Sequence, residues 1–238
     1  MRQLPLAMRL RERAVFDSFV PGANAAVLAQ LRAAARGGEP RIAWLYGAGG
    51  SGKSHLLQAC CTLALASGRE AAYLPLSELD EFGPEALQGW SAPGGPALLA
   101  LDELPVLIGR RDWEQALFAL YRAGEERGAT LIAAGDAPAA QLPFVLPDLA
   151  SRFAAALALP LQPLDEGAQR QALQWRARAR GLELPEESAR YLQRHFRRDL
   201  PTLCRLLDTI DSAALQAQRR LTVPFIREVL SLPPPPAG

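Results

Sequence analysis

The chain has 238 residues, 49% of them hydrophobic and 21% charged, and a formal charge of +1. That is enough apolar material for one large domain and a smaller one, which excludes a disordered or fibrous protein. The near-neutral balance supplies no global field to recruit nucleic acid, and no apolar run is long enough to span a membrane.

The first residues, Met1-Arg2-Gln3-Leu4-Pro5-Leu6, lack the long apolar core of a secretory leader, so a cytoplasmic protein is expected. Ile42 to Tyr46 is a short apolar run of strand length that ends at a glycine. Gly47-Ala48-Gly49-Gly50-Ser51-Gly52-Lys53-Ser54 then completes the phosphate-binding pattern GxxxxGK[ST]. Lys53 is the one lysine among 26 basic residues, so arginine serves as the generic cation of this chain and position 53 is set apart. A compact ammonium on a flexible stem reaches between phosphates where a planar guanidinium needs more room. The glycines let backbone N–H groups curl around phosphate, the following helix adds its positive dipole end, and the Ser54 hydroxyl suits Mg²⁺. The sequence therefore predicts a site for ADP or ATP with Mg²⁺, formed by Gly47 to Ser54 and His55, with a helix from His55 to Ala66 stopped by Gly68.

Ala71 to Leu76 has strand character, and a helix is expected within Ser77 to Gln88, before a turn-rich stretch from Ser91 to Pro96. Ala97-Leu98-Leu99-Ala100-Leu101-Asp102-Glu103 follows, the pattern of a buried strand that delivers two carboxylates to its C-terminal edge. This is a Walker B segment: Asp102 is expected to hold Mg²⁺ and Glu103 to polarise the attacking water. A helix is predicted from Asp112 to Gly128, then a strand from Ala129 to Ala134 that leads into Asp136, a candidate γ-phosphate sensor. A last strand, Ala156 to Leu161, completes an α/β domain of the P-loop NTPase class, a parallel sheet between helices. Helices are expected to begin near Asp165, Pro185 and Pro201 and after Thr222, which makes the second domain all-helical. The expected organisation is a terminal peptide 1–9, an α/β domain 10–161, a helical domain 162–232 and a Pro-rich tail 233–238. Cys60, Cys61 and Cys204 show no metal spacing, so reduced thiols and no structural zinc are expected.

A P-loop domain followed by a small helical lid resembles the AAA+ ATPases, and several strings narrow the likeness to the DnaA/Hda family. Phe16-Asp17-Ser18-Phe19-Val20-Pro21-Gly22-Ala23-Asn24 resembles the family's entry segment, and Gly52-Lys53-Ser54-His55-Leu56-Leu57 is DnaA-like. Leu146-Pro147-Asp148-Leu149-Ala150-Ser151-Arg152-Phe153, Leu161-Gln162-Pro163-Leu164 and Leu221 to Leu230 are similar to the regulatory inactivators of that family. Only eight residues follow Leu230, so the DNA-binding helix-turn-helix of DnaA itself is not expected. The resemblance implies that Phe19 and Val20 contact the nucleotide, that Arg152 is an arginine finger, and that Arg198 touches phosphate from the lid, with Arg197 its competitor. It also implies that Gln3, Leu4, Leu6 and Met8 form a peptide that docks on the DNA polymerase sliding clamp, with apolar side chains entering a groove and the Gln3 amide setting the orientation.

What the resemblance implies is a nucleotide-bound regulator that acts with the DNA-loaded clamp to stimulate hydrolysis of ATP held by DnaA, touching DNA indirectly and leaving homo-oligomerisation open. Some relatives have eroded phosphate loops, whereas this chain keeps Lys53, Ser54, Asp102 and Glu103, so intrinsic hydrolysis is chemically feasible. An alternative is a self-hydrolysing helicase loader or transposase helper that grips single-stranded DNA. From Glu70 to Gly109 there is no Lys or Arg but seven acidic residues, a poor lining for a nucleic-acid channel.

Overall fold

Strands covered by helices on both faces must be apolar on both faces, and the predicted runs have that character. In a computed structural model, which describes residues 14–92, 94–196, 200–217 and 220–230, they form one parallel sheet. Its strands are β1 (Ile42–Tyr46), β2 (Ala71–Pro75), β3 (Leu98–Asp102), β4 (Thr130–Gly135) and β5 (Leu157–Pro160), in the order β2-β3-β4-β1-β5. Gln3, Leu4, Leu6 and Met8, the pair Arg197 and Arg198, and the Pro-rich tail lie outside the described residues.

Six helices among the described residues accompany the sheet: α1 (Ala25–Ala35), α2 (Lys53–Ala66), α3 (Leu76–Leu79), α4 (Gln88–Ser91), α5 (Arg111–Glu126) and α6 (Pro147–Ala155). Alternation along the strands divides the core in two. Ala43, Leu45, Ala100 and Ile132 pack with Leu31 of α1 and Leu56 and Cys60 of α2. Trp44, Leu99, Leu101 and Ala133 face the opposite way, onto Trp113 and Leu117 of α5 and Phe153 of α6. Burial pushes the Cys61 thiol up to about 12, which keeps it an inert core group.

The register then builds the functional edge. Tyr46 is level with Gly135 and Leu101 with Ala133, so the segments leaving β1, β3 and β4 emerge on one side of the sheet at nearly equal height. Gly135 makes this possible next to Trp44, because a Cβ there would lie 2.5 Å from the indole ring. The same indole donates from Nε1 to the Ala137 carbonyl at 2.9 Å, so β1 holds the turn that carries Asp136.

Two expectations are refined. The helix after the phosphate loop starts at Lys53 rather than His55, with Gly52 as its N-cap. The stretch from Ser77 to Gln88 is not one helix: two 3₁₀ turns, Asp80–Phe82 and Pro84–Leu87, separate α3 from α4. Gly83 between them has φ +78°. The proline after it lacks the N–H a continuing helix would use.

The chain divides into two compact units, one made of the residues up to Phe19 with Ala23–Pro163, the other of Val20–Gly22 with the residues from Leu164 on. The second unit consists of α7 (Glu166–Arg178), α8 (Glu186–His195), α9 (Leu200–Ala217) and α10 (Val223–Val229). Its core joins Leu173, Leu192, Leu207, Ile210 and Phe225. Asp165 caps α7 by accepting from Ala168 N at 2.7 Å, an arrangement that satisfies one of the free N–H groups of the first turn. Gly22 packs on Leu164 and Ala168. No described helix is long and apolar enough to cross a membrane.

Candidate functional site

The phosphate loop joins β1 to α2, and its glycines have identifiable work. A Cβ on Gly47 would lie 2.5 Å from the Leu161 carbonyl oxygen, so this position admits no side chain. Gly52 has φ +102°, and a Cβ there would lie 2.6 Å from the Phe19 ring, so both backbone and neighbour require glycine. Gly49, by contrast, faces open space. The loop is thus packed from behind and free in front.

An ammonium has three N–H bonds to give. Lys53, its side chain 11% exposed, gives them to Gly47 O at 2.6 Å, Ala48 O at 3.2 Å and Asp136 Oδ1 at 2.9 Å. An anion entering the loop must take over at least one of these bonds, and the one to Asp136, whose side chain is 74% exposed, is the easiest to exchange. The structure therefore brings Asp136 to the ammonium, in a place where phosphate and carboxylate would compete or share. Ser51 Oγ is buried and has no hydrogen-bond partner among the described residues. Such an orphan is one that a ligand of the loop could satisfy.

His55 and Phe19 form the wall beside Gly52. His55 Nε2 lies 3.0 Å from both Ser18 Oγ and Val15 O, and its ring is 5.9 Å from that of Phe19. The entry segment is thereby tied to the first turn of α2. Phe19 is in the first unit, whereas Val20, its predicted companion, belongs to the second.

Asp102 ends β3 and is 2% exposed. Its Oδ1 accepts the N–H of Glu103 at 2.9 Å and its Oδ2 accepts the hydroxyl of Tyr73, on β2, at 2.7 Å. Burial, with the bond to Asp102 adding to it, raises the Tyr73 hydroxyl well above its ordinary range, so it remains a donor. Glu103 sits at φ +57° and ψ +32°, in the left-handed region. That conformation costs a non-glycine residue roughly 1–2 kcal/mol. It also turns the exposed Glu103 side chain out of the strand direction, and Ser77 of α3 donates to its Oε2. No group of three or more His, Cys, Asp or Glu among the described residues could hold a metal by itself. A hydroxyl at Ser54 and one carboxylate at Asp102 instead fit Mg²⁺, a hard cation that completes its shell with phosphate and water.

Arg152 lies in the last turn of α6. Its Nη1 donates to Glu125 Oε1 of α5 at 3.1 Å and its guanidinium lies 5.8 Å from the Tyr121 ring centre, with the side chain 45% exposed. Glu125 and Tyr121, its partners among the described residues, leave donors of the five unused. Phe153 meets Trp44 at 5.3 Å and Tyr121 at 5.8 Å between ring centres. These aromatic contacts fasten α6 to the sheet and to α5.

The sequence does not single out Glu114, because an acid near the start of a helix reads as a solvated face. It is 0% exposed. Its carboxylate accepts from Gly109 N at 2.8 Å, Val145 N at 3.0 Å and Leu146 N at 2.7 Å, and Leu146 is the N-cap of α6. One buried carboxylate thus holds both the loop after β3 and the start of the helix that carries Arg152. Glu114→Ala leaves three backbone donors unpaired and is expected to destabilise the fold by about 2–4 kcal/mol, with Glu114→Gln less damaging because one acceptor remains. Chemical denaturation of both variants checks this, and a loss below about 1 kcal/mol for the alanine variant would remove Glu114 as an anchor.

Comparisons with known proteins agree with this architecture. A family model described as the lid domain of Hda matches residues 165–230. Domain III of the replication initiation protein DnaA from Thermotoga maritima is 21% identical, with a TM-score of 0.78 over 92% of this chain and 95% of that one. DnaA from Aquifex aeolicus bound to AMPPCP is 21% identical, with a TM-score of 0.65 over 86% of this chain and 68% of that one. A replication initiator DnaA bound to AMPPCP and single-stranded DNA is also 21% identical, with a TM-score of 0.67 over 89% of this chain and 70% of that one. The chain therefore has the fold of DnaA domain III, and its C-terminal helical segment is similar to the lid domain of Hda.

Proposed function

We propose that this protein is a nucleotide-bound regulator of replication initiation that presents Arg152 to ATP held by DnaA and stimulates its hydrolysis while docked on the DNA-loaded sliding clamp. The observation that carries the reading is the state of Arg152: a half-exposed guanidinium, oriented by Glu125 and Tyr121, with donors to spare and no bond to its own phosphate loop among the described residues. A finger offered to a neighbouring molecule needs that combination of fixed direction and free donors.

The resident nucleotide, ADP or ATP, would be held by Gly47 to Ser54, with Lys53 on the phosphates and Phe19 and His55 flanking Gly52. Two DnaA structures of the same fold contain AMPPCP, which supports a nucleotide here. When bound, Mg²⁺ would neutralise phosphate charge, with Ser54 and Asp102 on its side of the site. Glu103, which accepts from Ser77, would orient the water, so weak intrinsic turnover is part of the proposal. Gln3, Leu4, Leu6 and Met8 would supply the clamp contact, and Arg198 would reach phosphate from the lid.

The fold also accommodates a second reading, a self-hydrolysing loader that grips single-stranded DNA, as one DnaA of this fold is solved with such DNA. The stretch from Glu70 to Gly109, without Lys or Arg, speaks against it. Both readings are separated by measuring hydrolysis of DnaA-bound ATP with and without this protein and a DNA-loaded clamp. Stimulation is expected only when both are present, and replacing Gln3, Leu4 and Leu6 by alanine is expected to remove it while leaving the affinity for ADP unchanged. Turnover by this protein alone that rises with single-stranded DNA, with DnaA hydrolysis unaffected, would replace the first reading by the second.

A further inference from the structure

β2 is apolar except at one position, and that exception points at Asp102. Tyr73 pairs with Ala100 in the parallel register, which puts its side chain on the same sheet face as Asp102, two residues further along β3. A long side chain reaches such a diagonal neighbour. The Tyr73 ring packs against the core beneath α2, and its hydroxyl emerges 2.7 Å from Asp102 Oδ2. A neutral donor on β2 therefore meets the carboxylate. Asp102 makes no ion pair among the described residues, and its second oxygen is held by the Glu103 N–H.

We infer that Tyr73 is a positioning residue for Mg²⁺: by holding Oδ2 of Asp102 while the Glu103 N–H holds Oδ1, it sets the orientation in which that carboxylate serves the cation. This rests on the nucleotide–magnesium site proposed above. The terminal torsion of an aspartate is soft, so one bond from the neighbouring peptide N–H leaves the carboxylate free to twist. A second donor from another strand removes that freedom. Partners of this kind hold metal-binding groups in place, and their loss typically weakens metal affinity by about 10- to 100-fold. Nothing in the phosphate-loop pattern asks for a hydroxyl at position 73, and packing alone would be served by phenylalanine.

The test is a Mg²⁺ titration of the equilibrium binding of a fluorescent ADP to the full chain. Wild type is expected to bind more tightly as Mg²⁺ rises. Tyr73→Phe, which removes one oxygen and keeps the ring, is expected to bind ADP as wild type does in EDTA but to need about 10-fold or more Mg²⁺ for the half-maximal effect. A purely structural role would lower affinity in EDTA as well, or lower the melting temperature without moving the Mg²⁺ midpoint. In an Asp102→Asn background, the same change is expected to add no further shift. Superimposable Mg²⁺ curves for wild type and Tyr73→Phe would overturn the inference, as would an equal shift in the Asp102→Asn background. Nucleotide binding by wild type that ignores Mg²⁺ would instead overturn the site on which it rests.

Discussion

Lys53→Ala is expected to abolish measurable nucleotide binding while leaving the fold in place. In the structure the ammonium bonds two loop carbonyls and Asp136, and Asp136 is largely exposed, so water can replace the lost partner at little cost. With phosphate in the loop the balance differs. The polyanion would then lie against a wall whose one side-chain cation is gone, and an uncompensated charge at a largely buried position costs about 3–5 kcal/mol, roughly 200- to 5,000-fold in affinity. Lys53→Arg is expected to rescue little, because a planar fork cannot occupy the narrow space between Gly47 O and Ala48 O. Equilibrium binding of labelled ADP, with a thermal melt of the unliganded variant as the control for folding, decides it. Affinity close to that of wild type would place the principal site elsewhere.

Arg152→Ala is expected to bind ADP and clamp normally and to lose stimulation of DnaA-bound ATP hydrolysis. A guanidinium supplied by a neighbour is worth about 10³–10⁵ in rate, or roughly 4–7 kcal/mol of barrier. Loss of the Glu125 pair adds little, because that pair is half-exposed. Such a pair contributes at most about 1 kcal/mol to stability. Glu103→Gln provides the contrast: it removes the carboxylate proposed to orient water at this protein's own site and is expected to leave DnaA hydrolysis largely intact. Single-turnover hydrolysis of ATP preloaded on DnaA measures both. Full stimulation by Arg152→Ala together with an inactive Glu103→Gln would mean that this protein's own turnover, and not a finger given in trans, drives its effect.

Glu125→Ala distinguishes two ways in which Arg152 could fail. The Glu125 carboxylate orients the guanidinium, and Tyr121 supports it with a ring face. Burial and then the Glu125 charge raise the Tyr121 hydroxyl against a lowering effect of Arg152. Without Glu125 the arginine keeps its charge but loses direction, so the loss of stimulation in the same single-turnover assay should be partial. Reach and orientation are thus separable within one short helix.

Local order is what the sequence by itself determined. The phosphate loop occupies eight contiguous residues, its glycines and Lys53 are fixed by the geometry of one turn, and strands buried on both faces announce themselves as unbroken apolar runs. The helix starts at Asp165 and Thr222 are legible for the same reason, since a cap or a first-turn proline acts within one turn of the chain. What only the tertiary structure decided is which distant side chains meet. Tyr73 reaches Asp102 across 29 residues, Ser77 reaches Glu103 across 26, Arg152 reaches Glu125 across 27 and Glu114 reaches Leu146 across 32. Each of these pairs belongs to two elements brought together by strand order and helix docking, and no periodicity along the chain encodes that order. Glu114 shows the consequence most plainly: an acid in the first turn of an amphipathic helix looks solvated, and it is buried because three backbone N–H groups from two other segments converge on it.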